Sequence, residues 1–170
     1  MEVYKCLKNR RTVRQFKPTK IPQETLLKIL NAARWAPSSR NQQPWDLIVV
    51  KNKTNLVKIG RIATTGSFIA DAPLAIAILM KNAEQPQMDA GRALQQMEIM
   101  AWSEGLGTCF VTLSENERKD IVDLLEIPAD TKLITILPFG YPPDDFRGKG
   151  IPRKPLSKMV HNETFQRSST

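Results

Sequence analysis

The stretch LAIAILM, residues 74–80, is apolar at every position. A strand with one solvated face alternates apolar and polar side chains, so a continuous apolar run of this length indicates a strand buried on both faces. Such a strand lies inside a sheet that is covered on each side. On either side of this stretch in the sequence, apolar runs predict further strands at residues 47–50, 108–112 and 133–139.

Helical patterns lie between these strands. Amphipathic spacing predicts a short helix at residues 2–8, and Pro22 opens a second helix that Pro37 ends. The predicted apolar stripe of the second helix consists of Leu26, Leu27, Leu30, Ala33 and Ala36. Further helices are predicted at residues 55–62 and 88–104, and after a capping box at residues 114–117. Because the two types of element do not alternate strictly, the class is α+β or a three-layer α/β/α sandwich, in one domain over residues 1–170.

The composition limits the classes of function. A single histidine, His161, argues against a zinc site and against a histidine-based catalytic triad. The two cysteines, Cys6 and Cys109, have no metal-ligand spacing and are expected to be reduced thiols of a cytoplasmic protein. No apolar run reaches the roughly 20 residues that span a bilayer, and the amino-terminal residues have no apolar signal core, so no membrane association is expected.

The net charge of +8 comes from 25 Lys and Arg against 17 Asp and Glu, and it favours an anionic partner. A solvated basic surface is the simpler explanation of the charge alone. A nucleic-acid-binding module is a further alternative, but aromatic residues, on which nucleic acid bases stack, make up only 6% of the chain.

The segment NRRTVRQF, residues 9–16, combines three arginines with a threonine. If it is extended, alternate residues share a face, so Arg10, Thr12 and Arg14 point one way and Arg11 and Val13 point the other. Guanidinium groups match phosphate oxygens as a fork, which makes this face a candidate phosphate clamp. A solvated basic arm is the alternative.

A polar string at residues 38–43, SSRNQQ, lies between a helix and a strand. Its hydroxyl and amide groups both donate and accept hydrogen bonds, as the edge of a heterocycle such as a pyrimidine requires. A loop that satisfies its own polar groups is the alternative. The sequence GLGTCF, residues 105–110, is no dinucleotide fingerprint, because it precedes a strand and lacks the third glycine.

Four motifs together are similar in order and spacing to the flavin-dependent nitroreductase family: RRTVRQF, APSSRNQQPW, GLGT and a late RKPL. The resemblance covers nearly the whole chain. It implies a three-layer α+β sandwich around a mixed, mostly antiparallel sheet, and an obligate homodimer that binds FMN non-covalently at its interface. Residues 144–170 would form a carboxyl-terminal extension that packs on the partner subunit.

The resemblance also implies the positions that contact the flavin. Arg10, with Arg11 and Thr12 beside it, would hold the phosphate together with Arg153, and Arg14 would approach the pyrimidine edge of the ring. Pro37, Ser38, Ser39 and Asn41 would reach the flavin of the other subunit, which gives the polar string a ligand to face. The backbone at Thr112 and Leu113 would lie near the reactive N5, and Thr65 and Ser67 are the candidates for further polar contacts to the ring.

The expected activity is that of an NAD(P)H oxidoreductase with a ping-pong cycle, in which a nitroaromatic, a quinone or a similar small molecule accepts the hydride. The flavin carries the chemistry in this hypothesis, and no catalytic side chain is required. A flavin-binding storage or sensor protein with little turnover is the alternative within the same resemblance.

Overall fold

The computed structural model describes residues 2–148 and 150–165. In that part of the chain the helices are α1 (Val3–Asn9), α2 (Gln23–Arg34), α3 (Lys53–Ile62), α4 (Pro86–Ser103) and α5 (Glu115–Leu124). The strands are β1 (Trp45–Val50), β2 (Leu74–Lys81), β3 (Gly107–Thr108) and β4 (Thr131–Gly140). Short 3₁₀ turns occur at Ser39–Asn41, Thr64–Asp71 and Leu156–Lys158.

The strands form one sheet in the order β1-β2-β4-β3, and neighbouring strands are antiparallel. Ile76, in the middle of β2, pairs with Val49 of β1 and with Leu137 of β4. The LAIAILM strand is therefore an interior strand, and all of its residues are buried. Residues 10–14 add a single parallel bridge at the β3 edge, so the prediction of a mixed, mostly antiparallel sheet is confirmed.

Each face of the sheet carries its own apolar core. Side chains at alternate positions of β2, namely Leu74, Ile76, Ile78 and Met80, pack with α2 and α4 on one face. Ala75, Ala77 and Leu79 pack on the other face, against α3 and α5. The period of two along a strand thus separates the helices into two layers, and the three-layer sandwich is confirmed.

Two local predictions were wrong. Leu27 is 48% exposed, whereas Ile29, outside the predicted stripe, is fully buried. The buried face of α2 includes Leu26, Ile29 and Ala33, and Leu27 lies more than a third of a turn from the centre of that face. The predicted strand at 108–112 is also shorter than expected, because β3 ends at Thr108. Side chains from elsewhere in the chain hold the backbone that follows it.

Both cysteines are buried and unpaired. Among the helices of residues 2–148 and 150–165, none combines the length and apolar character that crossing a bilayer requires.

Candidate flavin site

Residues 10–14 run extended beside β3. Thr12 forms the parallel bridge with Thr108, and the Val13 N–H donates to the Thr108 carbonyl at 3.0 Å. Val13 is fully buried. Because side chains alternate along an extended chain, burial of Val13 turns its neighbours Thr12 and Arg14 toward the outside. The sheet therefore presents the arginine-rich segment on its surface.

One cavity of about 350 Å³ opens beside this segment, and we refer to it as the arginine cavity. It is lined by Arg10, Arg11, Thr12, Arg14, Gly148, Gly150, Ile151 and Arg153. Arg153 comes from far along the chain, yet it lies at the same cavity as the amino-terminal arginines. Four guanidinium groups around one cavity form a strongly electropositive site.

Arg11 does not follow the predicted alternation, since it lines the same cavity as Arg10 and Arg14. Its Nη1 donates to the carbonyl oxygens of Lys8 at 2.9 Å and Arg10 at 3.0 Å. Gly150 packs so closely on it that a Cβ there would lie 2.5 Å from Arg11 Nη2. Within the residues described, the buried Nε of Arg11 has no hydrogen-bond partner. Local hydrogen bonds to the end of α1, together with packing of the carboxyl-terminal segment, thus hold Arg11 at the cavity.

Gly107 allows the arginine-rich segment to pack against the sheet. A Cβ at Gly107 would lie 2.3 Å from Cγ2 of Val13, far inside contact distance. We expect Gly107→Ala to lower the free energy of unfolding by about 1–3 kcal/mol, as overpacked cores do. Gly91 of α4 is the matched control, because a Cβ there meets nothing within 4 Å; Gly91→Ala should stabilise by about 1 kcal/mol. Urea denaturation measures both, and equal effects would contradict this close packing.

Behind the arginines lie two buried groups, Glu98 of α4 and Cys109. Glu98 is 8% exposed. Its burial raises the pKa of the carboxyl, which the positive charge of Arg10 opposes. Burial likewise raises the pKa of the Cys109 thiol, against the opposing effect of Arg14. Our sequence reasoning missed Glu98, although it follows Leu94 by one helical turn and so falls on the inward face of α4.

Arg14 connects the arginine cavity to the rest of the site. Its guanidinium carbon lies 6.0 Å from the centroid of the Phe68 ring, a cation–π arrangement. Phe68 belongs to the 3₁₀ turn that also carries Thr65. A ligand that extends from the cavity past Arg14 would therefore meet residues 64–71 and the chain that follows Cys109.

The polar string at residues 38–43 is partly satisfied by its own chain. The Gln43 N–H donates to Ser38 Oγ at 2.9 Å, and the Ser39 N–H donates to the Asp89 carboxylate at 3.2 Å. Asp89 is fully buried in α4 and also pairs with Arg92 at 3.2 Å. The sequence left open that this loop satisfies its own polar groups. For Ser38, Ser39 and Gln43 that alternative is correct in part, because these residues bond to groups of the same chain.

The remaining part of the string has a strained backbone. Arg40, Asn41 and Gln43 have positive φ angles of 49°, 56° and 49°. Such conformations are costly for residues other than glycine and cluster at functional sites. Asn41 is exposed and, together with Pro37, lines a cavity of about 420 Å³ that none of the arginines of the first site lines. A single chain therefore does not bring the two predicted halves of the site to one cavity.

Thr112 and Leu113, predicted to face the flavin ring, lie in an irregular segment between β3 and α5. Thr112 is exposed and Leu113 is buried. The capping box that starts α5 is confirmed, with Ser114 Oγ accepting from the Glu117 N–H and the Glu117 carboxylate accepting from the Ser114 N–H. The Thr65 hydroxyl donates to the Thr112 carbonyl at 2.9 Å. Thr65, predicted to contact the ring, thus binds the backbone of this segment.

Glu117 accepts three hydrogen bonds: from the Ser114 N–H at 2.6 Å, and from the N–H and hydroxyl of Thr64, each at 2.7 Å. These bonds favour the charged form and lower the pKa of Glu117 to about 2. A group whose pKa falls on folding stabilises the protein above its ordinary pKa, and that contribution disappears as the pH falls through about 2.

We therefore expect Glu117→Gln to lower the urea midpoint at neutral pH, since the neutral amide keeps only part of the hydrogen bonding. The difference from the unmodified protein should shrink as the pH is lowered toward about 2, where Glu117 itself becomes neutral. Glu115→Gln in the same helix turn is the matched control. A difference between Glu117→Gln and the unmodified protein that stays constant with pH would show that Glu117 acts through its shape alone.

Comparison with known proteins agrees with this geometry. A family model described as "Nitroreductase family" matches residues 7–86 and 64–141. A relative from Methanothermobacter thermautotrophicus, whose name includes NAD(P)H nitroreductase, is 31% identical over 152 residues, covering 85% of this chain and 80% of that protein.

Two further proteins are similar over most of the chain. The protein "FMN reductase [NAD(P)H]" of Bacillus subtilis is 29% identical, covering 96% of this chain and 74% of the relative. The solved structure of an FMN-dependent nitroreductase from Clostridium difficile superposes with a TM-score of 0.84 at 30% identity, covering 95% of this chain and 99% of that one. With a family model that matches most of its length and relatives of this similarity, this chain belongs to the nitroreductase family.

Proposed function

We propose that this protein is an FMN-dependent NAD(P)H oxidoreductase that acts as a homodimer and passes hydride to a nitroaromatic, a quinone or a similar small molecule. The observation that carries the proposal is the arginine cavity. Two of the similar proteins have FMN in their names, and the cavity offers what the phosphate of FMN requires.

The donors at the cavity fit a phosphate dianion. Arginine binds phosphate through paired N–H donors, and Arg10 and Arg153 approach from opposite ends of the sequence. The Thr12 hydroxyl adds a neutral donor. Gly148 and Gly150 pack closely on Arg11. Glycine fits at these two positions without displacing Arg11, whereas a Cβ at either one would lie within 3 Å of the Arg11 side chain. We assign the phosphate to Arg10, Thr12 and Arg153, and Arg11 to the support of the cavity wall.

When bound, the isoalloxazine ring of FMN supplies the hydride chemistry. Arg14 and the backbone of residues 111–114 are the groups that this chain would offer to the ring. Arg14 there provides a fixed positive charge, which stabilises negative charge that develops on reduction. NAD(P)H and the acceptor would occupy the same exposed side of the ring in turn, in a ping-pong cycle that requires no acid–base side chain.

The partner subunit completes the site in this proposal. Pro37 and Asn41 line a cavity that contains none of the residues of the arginine cavity, and Asn41 is exposed in the left-handed conformation. Ser38 and Ser39 lie in the same loop. A site shared across the interface accounts for two incomplete halves in one chain.

Two exposed apolar surfaces support the dimer. A groove of about 580 Å³ runs along α1, α2 and α4 and includes Val3, Trp35, Ile99 and Met100. The carboxyl-terminal segment exposes five large apolar side chains between residues 151 and 165: Ile151, Leu156, Met159, Val160 and Phe165. We assign this segment to packing on the partner, within the extension predicted at 144–170; Lys149 and residues 166–170 of that extension lie outside the described residues.

The test is the visible spectrum of the purified protein, followed by anaerobic mixing with NADH and with NADPH. The proposal expects flavin absorbance that bleaches within the time of a catalytic cycle and returns when a quinone is added. Flavin that bleaches only slowly would identify a storage or sensor protein. Protein that stays colourless after incubation with FMN would overturn the proposal and reopen nucleic-acid binding.

A further inference from the structure

Four consecutive residues between β3 and α5, Val111 to Ser114, each have a backbone group held by a side chain, two of them from distant elements and two from the start of α5. The Val111 carbonyl accepts from Thr135 Oγ1 at 2.7 Å, the Thr112 carbonyl from Thr65 Oγ1 at 2.9 Å, the Leu113 carbonyl from Arg118 Nη2 at 3.2 Å, and the Ser114 N–H donates to Glu117 at 2.6 Å. We refer to these four side chains, Thr65, Glu117, Arg118 and Thr135, as the clamp.

The clamp residues come from three separate elements. Thr135 is fully buried in β4, Thr65 lies in the 3₁₀ turn after α3, and Glu117 and Arg118 belong to the first turns of α5. Side chains that converge from a strand, a turn and a helix fix an irregular segment more firmly than bonds to one neighbour would. Residues 111–114 are therefore anchored to the rigid part of the fold.

Arg118 also joins this segment to an irregularity in the sheet. In the pairing of β2 with β4, Ile78 lies opposite Thr135 and Leu79 opposite Leu133, so Ile134 is the extra residue of a bulge. Arg118 Nη1 donates to the carbonyl oxygens of Leu133 and Ile134. One guanidinium thus binds the bulge and the Leu113 carbonyl together, and the bulge is the kind of feature that re-aims neighbouring groups.

The clamp determines where two amide N–H groups point. In a trans peptide the C=O and the following N–H point in opposite directions. Since Thr135 and Thr65 hold the carbonyls of Val111 and Thr112, the N–H groups of Thr112 and Leu113 point away from the clamp. Within the described residues neither of these N–H groups donates a hydrogen bond. They are oriented donors for an acceptor outside the segment.

We infer that the clamp positions these two donors for the flavin ring, so that Thr65, Arg118 and Thr135 are positioning residues for hydride transfer although none of them is expected to touch FMN. This inference rests on the proposed function. Loss of one clamp bond should leave the phosphate contacts intact and misplace the segment by a fraction of a hydrogen-bond length. The rate of flavin reduction is expected to suffer more than FMN binding.

The experiment uses matched pairs of substitutions. Thr65→Val and Thr135→Val remove the hydroxyl and nearly preserve the shape, whereas Thr65→Ser and Thr135→Ser keep the hydroxyl. Thr25→Val is the control, since Thr25 is a buried threonine of α2 that is not part of the clamp. For each holoprotein, stopped-flow mixing gives the limiting rate of flavin reduction and the apparent Kd for NADH, and titration of the apoprotein gives the Kd for FMN.

We expect each valine variant to reduce the limiting rate about tenfold, with the FMN Kd raised by no more than about threefold. The serine variants should restore the rate, and Thr25→Val should leave it unchanged. Equal rates in the valine variants and the unmodified protein would overturn the inference and leave the proposed function standing. A rate that the serine variants fail to restore would also overturn it, because shape and not the hydrogen bond would then matter.

A readout without flavin separates this inference from the proposed function. The Ser114 amide is bonded to Glu117 in the clamp, so its hydrogen exchange in the apoprotein reports whether the segment is held. We expect exchange to accelerate about fivefold in Thr65→Val and Thr135→Val, as the loss of one hydrogen bond near 1 kcal/mol predicts. Unchanged exchange would overturn the clamp itself, whereas failure of the unmodified protein to bind FMN would overturn only the function built on it.

Discussion

Replacing Arg10 with alanine is expected to weaken FMN binding by about 100-fold, because the phosphate would lose a charge-assisted, paired contact worth up to about 3 kcal/mol. Arg10 ends α1, where the chain turns from helix to the extended segment, and it lines the arginine cavity. Its removal would also leave the buried Glu98 without the nearby cation that opposes the rise in the Glu98 pKa. Titration of the apoprotein with FMN, followed by flavin fluorescence, measures the loss.

Two further variants make this result specific. Arg61→Ala removes an exposed arginine of α3, which lines no part of the cavity, and should leave the FMN Kd unchanged. Arg10→Lys keeps the charge but loses the paired N–H geometry, so it should fall between the alanine variant and the unmodified protein. Arg10→Ala protein that binds FMN as tightly as the Arg61→Ala control would remove Arg10 from the site.

The sheet could be predicted from sequence because its signal is local. LAIAILM needs no knowledge of its neighbours to indicate a doubly covered strand, and the capping box at Ser114 is complete within four residues. The early end of β3 could not be predicted in the same way. Side chains of Thr65, Arg118 and Thr135 hold the carbonyls of the following residues, and these partners lie 5 to 47 positions away in sequence.

In the candidate site, too, local patterns could be predicted from the sequence and contacts between distant residues could not. Arg10, Thr12 and Arg14 could be placed together because an extended chain alternates its side chains. Arg11 could not, since its position depends in part on Gly148 and Gly150, more than 130 residues later. The buried carboxylates Asp89 and Glu98 were missed because each also interacts with a group on another element, a loop N–H and an arginine respectively, that no spacing along α4 indicates.

The polar string at 38–43 leads to the second large effect, which only a dimer can show. Asn41 has a φ of 56°, so alanine there would add backbone strain to the loss of the amide. Asn41→Gly removes the side chain and keeps that conformation accessible. We expect Asn41→Gly to weaken FMN binding about tenfold in the homodimer, from the loss of a hydrogen bond to the ligand of the partner subunit.

Mixing the Asn41→Gly and Arg10→Ala chains then tests whether the two residues act across the interface. In a mixed dimer, one site would carry both defects, and the other would combine the intact arginines of one chain with the intact loop of the other. Random exchange of subunits should therefore restore tight binding at about one quarter of all sites. A full titration with FMN, resolved into tight and weak binding, counts those sites.

Each variant alone, taken through the same exchange, is the control and should show no sites that bind with the Kd of the unmodified protein. If Arg10 and Asn41 served the same site within one chain, every site in the mixture would still carry one defect, and mixing would restore nothing. The two outcomes differ in the number of tight sites and not merely in degree, so general destabilisation of the protein cannot imitate restoration. Restored binding would mean that a monomer of this chain contains no complete flavin site, and that dimer formation is a condition for activity.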